Sequence, residues 1–202
     1  QPPPWAAREN LADYEVSVDT VGQLVTTAQH FGIQTVKLTG GDFGMYKHME
    51  DLLHRLAHEW QEQMVGISWG VNTNGIPLID TRKMGLVVES PLHKITFGID
   101  SLLPGERSKP VSPVGIESRR LLESVVIPLT REWGGTGKKI RIDAVYTGNE
   151  PRILSIIEES LKHGIGANIL EVNGVMGTRY ETRARFLDFI NQIAESFGLD
   201  PR

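Results

Sequence analysis

Apolar residues in this chain switch repeatedly between strand-like runs and helical spacing, and that alternation limits the fold more than any other feature. Helices are expected over 17–32, where Val18, Val21, Leu24, Val25 and Ala28 share a face between a Ser17 or Asp19 cap and Gly32, and over 45–61 through Met49, Leu52, Leu53, Leu56 and Trp60. A shorter one is expected within "IDTRKMGLVVES", and another in "GIESRRLLESVVIPLTREW", where Pro128 predicts a kink or break. Two more follow, in "EPRILSIIEESLKHG" with Pro151 near its start and in "ETRARFLDFINQIAESFG". Between them lie five predicted strands, 33–39, 65–75, 94–100, 139–148 and 167–174. Strict alternation of this kind builds right-handed βαβ units and a parallel sheet. Because a helix precedes the first strand, the expectation is a barrel-like (β/α) series cut just after its first strand. Residues 1–16, with Pro2, Pro3 and Pro4, read as an extended lead-in to one partial barrel over 17–202, and 102–115 as an exposed loop.

Charge and composition exclude several classes of function. Twenty-one basic and 25 acidic residues give a formal charge of −4 without a basic block, so nucleic acid and anionic membranes have no electrostatic claim on the chain. No apolar run approaches the ~18 residues of a membrane span. No secretory signal is visible in the sequence, and a cytoplasmic location is expected. The chain has no cysteine, hence no thiolate nucleophile and no thiolate metal ligand.

Parallel α/β folds collect ligands at the carboxyl ends of their strands. Those ends carry Gly40, Gly41 and Asp42, then Thr73, Asn74 and Gly75, then Asp100 and Ser101. The fourth strand holds Arg141 and Asp143 at alternate positions, on one face, and the fifth ends in Glu171 with Asn173 and Gly174 behind it. Polar residues in apolar strands are costly unless paired, so five such ends describe a polar pocket suited to a zwitterionic or nucleoside-like ligand. His54 and His58 stand four apart but lack the acid of "HExxH" and a third ligand, and read as solvated helix face. "GGTGKK" (134–139) precedes a strand and has no Ser or Thr after its lysines, so it fails as a phosphate loop. There is no "GxSxG" elbow for a nucleophilic hydrolase.

Four ordered blocks, "GIQTVKLTGGDFGMYKHMEDLLHRL", "GVNTNGIPL", "KITFGIDSLLPGE" and "KIRIDAVYTGNE", resemble blocks of the radical S-adenosylmethionine (SAM) enzymes over roughly 17–175. The nearest subgroup is the molybdenum-cofactor GTP 3′,8-cyclases, whose blocks read "LTGGEPLLR", "TTNG", "SLDSLDPE" and "VKINAVV". The resemblance implies a partial (β/α)6 radical-SAM-type barrel, TIM-like, with its first strand missing. It further implies that Gly40, Gly41 and Asp42 hold the amino group of SAM and that Thr73 and Asn74 lie beside it. Arg141 and Asp143 would line the SAM or substrate side, and Glu171 the substrate side. A 4Fe–4S cluster and an electron donor are implied for the parent protein, with SAM cleaved to methionine and a 5′-deoxyadenosyl radical that takes hydrogen from a small-molecule substrate, plausibly nucleotide-derived.

Departures from the pattern carry expectations of their own. Asp42 replaces the family's Glu with ~1.5 Å less reach, while Phe43 replaces a Pro, Tyr46 an Arg expected to help with a triphosphate, and Gly98 a Ser. The cluster motif "CxxxCxxC" is absent, since there is no cysteine, and its expected place is upstream of Gln1 together with the missing strand. Alone, the chain is then expected to be inactive and to associate with itself through an open sheet edge. The alternative is a cluster-less, non-catalytic module that binds SAM or another metabolite.

Overall fold

The computed structural model describes residues 15–103, 118–171 and 179–198. Five parallel strands, β1 (Thr35–Leu38), β2 (Ser68–Thr73), β3 (Lys94–Gly98), β4 (Lys139–Tyr146) and β5 (Gly166–Glu171), pair in sequence order. Helices α1 (Val18–His30), α2 (Met49–His58), α3 (Thr81–Glu89), α4 (Ser118–Leu121), α5 (Ile127–Glu132), α6 (Glu150–His163) and α7 (Arg179–Ser196) accompany them. This is the expected α/β partial barrel. No helix among the described residues is long and apolar enough to cross a membrane.

Strand register divides the sheet into two unlike faces. Trp69 and Val71 of β2, Ile95 and Phe97 of β3, and Ile140, Ile142, Ala144 and Tyr146 of β4 are buried and join helical residues such as Leu56, Val87, Val125 and Ile156 in one core. The intervening positions point the other way. There, Lys37, Gly70, Lys94 and Lys139 form one row across four strands, followed by Asn72, Thr96, Arg141 and Gly166, then Gly98, Asp143 and Asn168.

The helix ends follow local chemistry. Ser17 caps α1 through its hydroxyl, which accepts from the Thr20 amide (3.2 Å), and Gly32 leaves the helix at φ 66°. The helix expected over 45–61 begins only at Met49, because the chain first makes a 3-10 turn at Phe43–Met45 capped by Asp42 and then an extended Tyr46. At Pro128 the chain stays helical but not uniformly α-helical. A π-helical turn, Leu122–Val126, precedes it and links α4 to α5, giving the proline ring the room that α-helical spacing would deny it. Residues 1–14, 104–117 and 172–178, which include most of the lead-in, most of the loop over 102–115, and Asn173 and Gly174, lie outside the described residues.

The two faces predict opposite costs. Phe97→Ala, in the core, is expected to cost about 3–5 kcal/mol in urea denaturation. Val145→Ala, on the other face and 36% exposed, is expected to stay within about 0.5 kcal/mol.

Candidate functional site

The carboxyl ends of β1 and β2 are built into one unit by a single carboxylate. After β1 the chain passes Gly40, whose φ of 129° disfavours any side chain, and Gly41, where an added Cβ would meet nothing within 4 Å. This leaves an open backbone ledge. Next, Asp42 turns its side chain inward to the protein. Its Oδ1 accepts from the Gly44 amide (2.8 Å) and the Thr73 hydroxyl (2.7 Å), and its Oδ2 accepts from the Asn74 amide (2.5 Å). Thr73 in turn accepts from the Gly75 amide (2.9 Å), and the Asn74 side-chain oxygen accepts from the Ile76 amide (2.9 Å). Gly44 lies under Pro77, so close that a Cβ would stand 2.7 Å from the proline Cβ, and Lys83 donates to its carbonyl (2.8 Å).

A second group sits on the bare sheet face of β4 and β5. Asn168 donates to Asp143 (2.6 Å) and accepts from Arg141 (3.4 Å), bridging the two expected residues. Beside them in register, Thr96 is 2% exposed with its hydroxyl unpartnered, and the side-chain oxygen of Asn72 is likewise buried without a partner. The lysine row lies one layer toward the strand starts. Burial, followed by repulsion from Arg141 and Lys37, lowers the pKa of Lys94, with Asp143 opposing. Lys37, Lys94 and Lys139 make no ion pair with any acid among the described residues.

Gly40, Gly41, Asp42, Thr73 and Asn74 are therefore brought together as one cluster, and Arg141 and Asp143 as another. Glu171 is in register with Tyr146, whereas Asp143 is in register with Asn168, so Glu171 falls outside that row. Asp100 accepts from the Val145 amide (3.3 Å) and Ser101 from the Leu103 amide (3.2 Å), which makes both parts of loop structure. Sequence reading missed Asn72, Thr96 and Asn168. Their signal was a polar residue at every second position of an otherwise apolar strand.

Two sequence features are structural. The His54 and His58 rings stand 4.7 Å apart on the surface, and no group of three metal-ligating side chains occurs among the described residues. Lys138 of "GGTGKK" donates to the carbonyls of Val88 (3.3 Å) and Ser90 (2.6 Å) and lies over Trp133. A cavity of about 420 Å³ beside it, lined by Trp133, Gly135, Lys139, Arg141 and Gly166, opens at the strand starts, away from the Asp42 cluster.

No family model matches the chain. It is similar to the GTP 3′,8-cyclase of Syntrophomonas wolfei, at 24% identity over 98% of this chain and 59% of that protein. The GTP 3′,8-cyclase of Limosilactobacillus fermentum is 22% identical over 93% and 54%. Among solved structures, the radical SAM methyltransferase TsrM from Kitasatospora setae, with cobalamin and a [4Fe–4S] cluster bound, superposes with a TM-score of 0.60 at 12% identity, over 78% of this chain and 31% of that one. In sequence and fold the chain resembles the radical SAM enzymes. Streptococcus suis SuiB bound to SAM gives a TM-score of 0.58 at 18% identity over 89% of this chain and 40% of that one. The chain thus spans 54–59% of the length of the two cyclases.

The tight seat of Gly44 is testable. Gly44→Ala forces the Phe43–Met45 turn away from Pro77 and is expected to destabilise the protein by about 1–3 kcal/mol in thermal denaturation.

Proposed function

We propose that this chain is the cofactor- and substrate-holding part of a radical SAM enzyme acting on an anionic small molecule. The observation that carries the reading is the docking of the Gly40–Gly41 ledge to the Thr73–Gly75 loop at adjacent strand ends, in a chain that resembles that family. The ledge fits SAM: an open glycine backbone can approach the zwitterionic end of the ligand closely, and its carbonyls accept from an ammonium. Asp42, Thr73 and Asn74 hold the rim of that site. Arg141 and Asp143, linked by Asn168, would line the SAM or substrate side, and Glu171 would stand near the substrate at the end of β5. SAM, when bound and reductively cleaved, supplies the radical that takes a hydrogen atom from the substrate. The chain's own part is to bind, orient and exclude water.

The residues present do not fit a 4Fe–4S cluster. Thiolates hold such clusters, and the 202 residues include no cysteine, so the ligands would have to come from outside this sequence. Lys37, Lys94 and Lys139, gathered on the bare face with no ion pair to an acid among the described residues, and Arg141 beside them support an anionic substrate. GTP, named for the two cyclases, belongs to that class. However, Tyr46 occupies the place of the family's triphosphate-binding Arg, and its hydroxyl donates to the Val16 carbonyl (2.6 Å) instead. The absence of cysteine, with Asp42, Phe43, Tyr46 and Gly98 at motif positions, favours a second reading: a cluster-less, non-catalytic module that binds SAM or another metabolite.

Calorimetric titration with SAM and S-adenosylhomocysteine tests what the two readings share. Both ligands are expected to bind, and Gly41→Val, whose Cβ would meet nothing within 4 Å, is expected to weaken them at least about ten-fold by blocking the ledge. No binding at millimolar ligand would sink the first reading and the SAM-binding form of the second. Tripolyphosphate is expected to bind in a salt-sensitive manner that Lys94→Gln reduces. The natively expressed protein, reduced anaerobically with SAM, yields 5′-deoxyadenosine on the first reading and none on the second.

A further inference from the structure

We propose that Asp42 is a positioning residue: its carboxylate clasps the loop after β2 to the loop after β1, and so sets the ledge, without itself taking the ammonium of SAM. This rests on the SAM-binding reading above. A carboxylate offers about four acceptor positions, and donors of this chain already occupy three at Asp42: the Gly44 amide, the Thr73 hydroxyl and the Asn74 amide. Hydrogen bonds to an ionised acceptor are the stronger kind. Turning the carboxylate toward a ligand would strand the Asn74 amide and the Thr73 hydroxyl, the latter on a side chain only 4% exposed.

The shortness of the residue is part of the device. An aspartate can bond the amide two residues on, as Asp42 does with Gly44, and still reach across to β2. What reads in the sequence as lost reach toward a ligand is, in the fold, the length that closes the clasp. Through it, the start of the Ile76–Ile79 turn, Pro77 and Gly44 are held in one packing unit with the ledge.

The test compares Asp42→Asn, Thr73→Val, the double variant and Asp42→Glu in the full chain. Amide exchange is read at Gly44 and Asn74, and S-adenosylhomocysteine affinity by calorimetry. In Asp42→Asn, an amide NH2 in place of Oδ2 faces the Asn74 donor. A clasp predicts that Asp42→Asn and Thr73→Val each speed exchange at Asn74 and each weaken binding by about ten-fold. The double variant is then little worse than the worse single, because both break the same link. Asp42→Glu also speeds exchange and weakens binding. The proposal is overturned if Asp42→Asn abolishes binding while Thr73→Val changes nothing and Asp42→Glu binds normally, since the carboxylate would then be a direct ligand. Faster exchange with unaltered affinity would overturn it as well, leaving a purely structural contact. If the unaltered chain binds neither SAM nor its homocysteine analogue, the SAM reading falls, and the clasp loses its purpose; the exchange rates still report separately whether the clasp itself exists.

Discussion

A parallel sheet presents two faces, and an apolar one cannot be left to water. In this protein the described helices cover only one. Trp69 and Val71 of β2, Ile95 and Phe97 of β3, and Ile140, Ile142, Ala144 and Tyr146 of β4 lie on that face, and together they close the core. The other face can remain free of helices because its residues are of another kind: lysines at the strand starts, amides and hydroxyls midway, and an arginine and a carboxylate tied through Asn168. The apolar and polar faces are thus separated by the period of two, one residue out of phase.

Such a face carries a cost among the described residues. Thr96 and Asn72 keep buried oxygen atoms without protein partners, and Lys94 is held among like charges with its pKa lowered. A protein selected only to fold would replace these groups with apolar ones. Their cross-strand alignment, one beside the next in register, is the arrangement a polar ligand lying across the strands would meet.

The strand ends obey a different constraint. Loops are held less firmly than strands, yet a cofactor needs fixed geometry. The Asp42 carboxylate supplies fixed geometry here by joining two loops that are separated by about thirty residues of chain.

The sequence alone determined the order of strands and helices, the parallel sheet and the strand-end residues, because hydrophobic period and glycine placement are local properties. It also showed that Arg141 and Asp143 share a face, and its ordered blocks carried the family resemblance. It misjudged the start of α2, since a 3-10 turn answers to neighbouring packing as well as to propensity, while Pro128 follows directly on the π turn that interrupts the α-helix. What only the tertiary structure decided was the company each side chain keeps. Register across strands aligned Thr96 with Asn72 and Arg141 and left Glu171 opposite Tyr146, outside the Asp143 row. Contact between two loops turned Asp42 inward. Both follow from long-range geometry, in which one residue's shift reverses a face and one methylene decides which partner a carboxylate can reach.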